Sequence, residues 1–207
     1  MNNKIKAIFF DFDGVMTLDK TGSDSICNYI SREANIDKNI FEKEYRKFNK
    51  DLLVGKTTHL IIWEQLCKNI DTIIPISVLY DSFINTPTDK LMYELILKIK
   101  QFKLLTGLIT DNKADRMEKI CDYYGYKKIF DIIAVSGELG YGKESEKIFL
   151  KVLSDLKIKA EETIFIDNTE KNLLIPQKLG IKVIHFNDSE RSMEKLKEEI
   201  INYGVNI

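Results

Sequence analysis

Cysteine is scarce in this 207-residue chain, and Cys27, Cys67 and Cys121 are odd in number and widely scattered. That pattern excludes a disulfide framework or a paired-cysteine zinc site and points to a reducing compartment. Long apolar runs are missing: every hydrophobic stretch is broken by charge well short of the roughly 20 residues that a bilayer helix needs. The N-terminal Met1-Asn2-Asn3-Lys4-Ile5-Lys6 has no long apolar core of the secretory kind. A cytoplasmic protein with no membrane partner is the expectation. Excess charge of one sign is also absent, since 31 Lys and Arg face 32 Asp and Glu for a net charge of −1. No general attraction to nucleic acid follows, and any anion site has to be local. What is present, 44% hydrophobic and 30% charged residues, is the balance of an ordinary soluble globular chain, and the length suffices for one large α/β domain or for a domain with a small insertion.

Short continuous apolar runs at residues 5–10, 104–109, 130–135, 163–166 and 182–186, each bounded by Gly, Asp or Asn, have the pattern of strands buried on both faces. Helical periodicity fills the gaps at residues 88–101, 112–124, 146–156, 170–179 and 189–203, the first of these behind a Thr88 cap. This alternation predicts a Rossmann-like α/β fold, a parallel sheet with helices on both faces. Residues 21–86 break it. They carry four helical patterns (24–34, 39–48, 58–69 and 76–84) and no buried strand, so they predict a helical cap inserted after the first strand. The core is then residues 1–20 and 87–207, with the cap over the carboxyl edge of the sheet, where open α/β folds bind ligands.

Chemistry concentrates at predicted strand ends. The first strand runs into Asp11-Phe12-Asp13-Gly14-Val15-Met16-Thr17. Two carboxylates two residues apart face the same side of a strand, and a glycine turn lets both approach one ligand. A pair of turn-forming aspartates is the competing reading. A second strand ends in Thr110-Asp111-Asn112 and another in Asp167-Asn168-Thr169, where helix capping competes. Carboxylates converging on one rim repel unless a cation joins them. With oxygen donors and no His or Cys nearby, Mg2+ is the natural choice. Between these lies Ser136-Gly137-Glu138-Leu139-Gly140-Tyr141-Gly142-Lys143. It matches the spacing of a nucleotide-binding phosphate loop except at its end, where Glu144 replaces the required hydroxyl. Of the two histidines, His59 is expected to be solvated or capping and His185 structural.

Taken in order, Asp11-Phe12-Asp13-Gly14-Val15-Met16-Thr17, Thr110, Lys143 and Asp167-Asn168 resemble the four motifs of the haloacid dehalogenase superfamily, across essentially the whole chain. The resemblance implies its phosphatase branch with a small helical cap, acting on a small phosphorylated metabolite. It implies Asp11 as nucleophile and Asp13 as general acid and base. It further implies Thr110, Asp111 and Lys143 at the phosphoryl group, and Mg2+ on Asp11, the Asp13 carbonyl and Asp167. Two departures stand out: Glu144-Ser145-Glu146 follows the lysine where many relatives are proline-rich, and Asn168 stands where a second acid is common. A phosphosugar mutase shares all four motifs, and a phosphate-binding regulator without turnover is the alternative of a different class. The sequence leaves the oligomeric state open.

Overall fold

The computed structural model describes residues 4–207; residues 1–3 of the expected core and of the N-terminal stretch lie outside the described residues. Among those described, five strands, β1 (Ala7–Phe10), β2 (Leu105–Thr110), β3 (Ile132–Val135), β4 (Thr163–Asp167) and β5 (Lys182–His185), form one sheet in the order β3-β2-β1-β4-β5. All pairings are parallel, and Phe10 of β1 lies opposite Leu108 on one side and Ile166 on the other. The central strand is apolar at every position because both its faces are covered. Ile8 and Phe10 enter one core layer with Leu108, Ile164 and Ile166, while Ala7 and Phe9 enter the other with Ile109, Phe149 and Phe165.

Five helices separate β1 from β2, and the first four of them form the inserted segment: α1 (Gly22–Glu33), α2 (Lys38–Leu53), α3 (His59–Asn69) and α4 (Ile76–Ile84). The remainder alternates with the strands as α5 (Lys90–Gln101), α6 (Ala114–Tyr124), α7 (Ser136–Leu139), α8 (Glu146–Leu156), α9 (Glu170–Lys178) and α10 (Met193–Asn202). Within the inserted segment α1 packs on α2 and α4; the segment rests on the core through α4 against α6 and α2 against α7. Its two linkers run side by side. Thr17 bridges Thr88, the Leu18 amide donates to the Pro87 carbonyl at 2.8 Å, and the Asp89 amide donates to Met16 at 2.9 Å. Arg191 locks this junction by donating to the carbonyls of Gly14 and Val15, both at 2.8 Å, and to Asp89 Oδ2 at 3.0 and 2.7 Å.

Two local expectations change, at the start of α5 and at the start of the last helix. The cap of α5 is Asp89, whose Oδ1 accepts from the amides of Leu91 and Met92 at 2.9 and 3.1 Å; Thr88 is held in the linker bridge instead. The last helix starts at Met193 rather than near 189, because Arg191 sits at φ 49°, a left-handed conformation that no helix continues through. The glycine-rich stretch is not a phosphate loop. Its first four residues close the single turn of α7, and the chain then reverses at Gly140 with φ 80°.

Candidate active site

Because β1 lies between β2 and β4, the sheet order brings the ends of these three strands side by side. Asp11 follows β1, Thr110 closes β2, and Asp167 closes β4. The lysine that follows the β3–α7 turn reaches into the gap: Lys143 Nζ lies 2.8 Å from Asp11 Oδ2 and 2.6 Å from Asp167 Oδ2. The remaining carboxylate oxygens are held by local amides. Asp11 Oδ1 accepts from the Phe12 N–H at 2.7 Å, and Asp167 Oδ1 accepts from Thr169 N–H at 2.7 Å and from the Asn172 side chain at 3.2 Å. One ammonium shared by two buried acids leaves the cluster short of positive charge. Burial pushes Asp11 up to about 8 despite the opposing pull of Lys143, with Asp167 adding to the rise. Burial works against the charged form of Lys143, but Asp11 and Asp167 outweigh it and hold the lysine above its ordinary value.

Asp13 has a partner that sequence reasoning missed. Arg116, on the first turn of α6 and fully buried, grips it with Nη1 to Oδ2 and Nη2 to Oδ1, both at 2.9 Å. Asn112 Nδ2 adds a third bond to Oδ2 at 2.8 Å. The guanidinium also donates to Asn112 Oδ1 at 2.9 Å and to Thr86 Oγ1, in the linker out of the helical insertion, at 3.2 Å. From the other linker side Gly22 closes over the pair, and a Cβ at that position would lie 2.2 Å from Arg116 Nη1. The available signal was periodicity. Arg116 stands four residues before Ile120 on the buried face of α6, where an arginine needs a counter-charge.

A family model for haloacid dehalogenase-like hydrolases matches residues 5–180, which contain every residue of this cluster. The chain belongs to that family. An enzyme of the same family from Bacteroides thetaiotaomicron superposes with a TM-score of 0.75 at 20% identity, covering 94% of this chain and 99% of that one. The wild-type form of that enzyme in complex with magnesium and inorganic phosphate gives 0.74 at 21% identity, over 93% and 98%. The L-2-haloacid dehalogenase of Xanthobacter autotrophicus gives 0.65 at 13%, over 98% and 85%. Among curated proteins, a glyceraldehyde 3-phosphate phosphatase from Methanocaldococcus jannaschii is 26% identical over 113 residues, which is 54% of this chain and about half, 49%, of that relative's length.

Other residues of this haloacid dehalogenase-like hydrolase sit differently from expectation. Thr110 and Asp111 do not cap α6, whose capping position is Lys113. Thr110 is buried at the strand end, with its hydroxyl 3.5 Å from Asn112 Nδ2. The Asp111 carboxylate, expected at a phosphoryl group, accepts the Lys143 backbone N–H at 2.8 Å and so fixes the lysine loop. A carboxylate only accepts hydrogen bonds and repels phosphate, so the part of Asp111 able to meet an anion is its backbone N–H, unpaired among the described residues. Ser145, in the stretch that departs from the proline-rich pattern, caps α8 by accepting from the Lys147 amide at 3.3 Å. Asn168 donates to Asp188 at 2.9 Å. His59 is neither solvated nor a cap. It is fully buried, with Nε2 2.8 Å from the Tyr45 hydroxyl and Nδ1 2.8 Å from Asp115 Oδ1. Burial lowers its pKa against the pull of Asp115, so the neutral ring donates from Nδ1 and accepts at Nε2. His185 Nε2 lies 3.1 Å from the Asn168 carbonyl at the rim.

No three Asp, Glu, His or Cys side chains among the described residues gather closely enough to hold a metal by themselves. A metal here needs a backbone oxygen beside Asp11 and Asp167. The Asp13 carbonyl accepts no hydrogen bond among the described residues and is available for that role.

Proposed function

We propose that this protein hydrolyses the phosphomonoester of a small metabolite, with Asp11 as nucleophile and Asp13 as acid and base. The observation that carries the reading is Asp11 at the end of the central strand, held beside Lys143 and Asp167, with Asp13 two residues on. The phosphatase from M. jannaschii and the magnesium and phosphate bound by the B. thetaiotaomicron enzyme support it. A hard divalent cation fits the donor set of Asp11, the Asp13 carbonyl and Asp167. These are all oxygens, one is an unpaired carbonyl, and Asp167 sets a second negative charge beside Asp11 for a cation to offset. Bound there, Mg2+ neutralises the phosphoryl group so that an anionic nucleophile can approach.

In the first step an Asp11 oxygen bonds to phosphorus, the ester P–O bond breaks, and the leaving oxygen takes a proton from Asp13. In the second, the Asp13 carboxylate takes a proton from water, the water oxygen bonds to phosphorus, and the bond to Asp11 breaks to release inorganic phosphate. Lys143 and the Thr110 hydroxyl donate to the phosphoryl oxygens. In the structure Asp13 Oδ2 accepts from both Arg116 and Asn112, while Oδ1 accepts from Arg116 alone, so Oδ1 is the oxygen with a lone pair free to carry the proton. We read α1–α4 as the cap whose approach excludes water and selects the leaving group. The paired linkers of residues 16–18 and 87–89 are its hinge.

The test is phosphate release from an aryl phosphate with and without Mg2+, combined with acid-quench labelling of the enzyme from a labelled phosphate ester. Turnover requires the metal, label resides on Asp11, and Asp11→Asn removes both, since an amide is not a nucleophile. Retained turnover in Asp11→Asn refutes the covalent route, and isomerisation of a sugar phosphate without phosphate release refutes hydrolysis.

A further inference from the structure

The cleft over Asp11 has a volume of about 200 Å³, below the roughly 300–1,000 Å³ of pockets that enclose drug-sized ligands. One wall holds a cation that the phosphoryl chemistry does not use. Lys113, just before α6, lines this cleft with Asp11, Thr110 and Lys143, yet is only 3% exposed. Its Nζ donates to Ser23 Oγ of α1 at 2.9 Å and lies 5.9 Å from the centre of the Tyr45 ring. An ammonium has three donors, and among the described residues no carboxylate lies within ion-pair distance of this one. The acid that draws on it from farther off, Asp13, is already gripped on both oxygens by Arg116. Cys27 supplies no counter-charge, because burial pushes its thiol up to about 12.

A buried charge without a fixed partner is costly unless something else completes it. The surroundings say what. Ser23 Oγ, having accepted from Lys113, donates to Asn49 Oδ1 of α2 at 3.1 Å. That leaves the Asn49 Nδ2 donors without a partner among the described residues, on the wall of the same cleft. The other cations at the rim face solvent: Arg46 pairs with Glu42 and Asp24, and Lys20 lies 3.7 Å from Asp188. Within its wall the cleft therefore offers one buried positive charge without an acid partner and a neighbouring amide, a match for a monoanion with two acceptor oxygens rather than for a second phosphate dianion.

We propose that Lys113, together with Asn49 of the cap, binds a carboxylate on the leaving group, so that the substrate is a small phosphorylated hydroxy acid. The proposal deepens the phosphomonoesterase reading and rests on it only for turnover. Ser23 and Asn49 come from the inserted helices and Lys113 from the core, so the carboxylate also bridges cap to core.

The probes are 2-phosphoglycolate and ethyl phosphate, which differ by a carboxylate in place of a methyl group. Their dissociation constants are measured by calorimetry, with Mg2+ present, on Asp11→Asn, where nothing is turned over. The carboxylate should tighten binding by about 10- to 100-fold, the range of a hydrogen bond to a charged group. Adding Lys113→Met should bring the ratio of the two constants to within about threefold, and Lys113→Arg should restore most of it. Equal binding of the two esters by Asp11→Asn overturns the proposal whether or not the lysine variants fold. A preference that survives Lys113→Met, or tighter binding of ethylene glycol bisphosphate than of phosphoglycolate, also overturns it. Failure of the phosphatase reading has a separate signature: the carboxylate preference in binding persists while the wild type releases no phosphate from either ester.

Discussion

Replacing Arg116 by methionine tests whether the grip on Asp13 is the ion pair that the geometry shows. The substitution keeps a straight apolar stem and removes four hydrogen bonds, two to Asp13, one to Asn112 and one to Thr86. It leaves Asp13, with a side chain only 12% exposed, held by the single Asn112 amide. Removing one partner of a buried pair costs about 3–5 kcal/mol, because the surviving charge stays buried without compensation. Arg116 Nε already lacks an acceptor, a debit that disappears with the arginine, so the expected loss lies near 3 kcal/mol. At about 2–4 °C per kcal/mol for a chain of this size, the midpoint falls by roughly 6–12 °C. Adding Asp13→Asn removes the orphaned charge, so the double variant should be more stable than Arg116→Met by about 1–3 kcal/mol. Urea unfolding provides the assay, read by far-ultraviolet circular dichroism for the whole chain and by the fluorescence of the one tryptophan, Trp63 in α3, for the helical insertion. Coincident transitions license the two-state free energies. A loss below about 1 kcal/mol, or strict additivity of the two substitutions, refutes the argument.

Asp13→Asn should accumulate phosphorylated Asp11 from an aryl phosphate, whose leaving group needs no proton, while reacting slowly at the first step with an alkyl phosphate; equal loss for both in rapid-quench labelling removes the acid role. Burial first, and then the Arg116 charge, push Lys113 down to about 8 from its ordinary 10.5, against the pull of Asp13. Between those values the unfolded chain binds the extra proton, so stability should rise with pH across the window and the rise should vanish in Lys113→Met; unfolding both proteins at about pH 7.5 and 9.5 measures it, and a fall in the wild-type-minus-variant difference contradicts the burial. Gly14→Ala should cost at least about 1–3 kcal/mol, since φ is 79° and the new Cβ would lie 2.2 Å from Asn168 Nδ2; an unchanged melting midpoint would show that the loop relaxes freely.

The strands were legible in the sequence because burial on both faces leaves an unbroken apolar run, as in residues 7–10, and the acids were legible because they interrupt such runs at their ends. Parallel order followed from alternation with helices, and the helical character of residues 21–86 from the absence of any such run. Strand neighbours were not legible: only the order β3-β2-β1-β4-β5 brings Asp11, Thr110 and Asp167 together around Lys143. Charged residues near a helix start read as solvated: Lys113 carried no mark of burial, and Arg116 only its place four residues before Ile120 on the buried face of α6. Arg116 reaches an aspartate 103 positions earlier in the chain, and Lys113 a serine 90 positions earlier. His59 likewise reads as a surface residue until α2 and α6 supply Tyr45 and Asp115 on either side of its ring. Local pattern records which surface a residue shares with its neighbours in sequence. Which charge is removed from water, and what compensates it, is decided only when an inserted segment closes over a strand end.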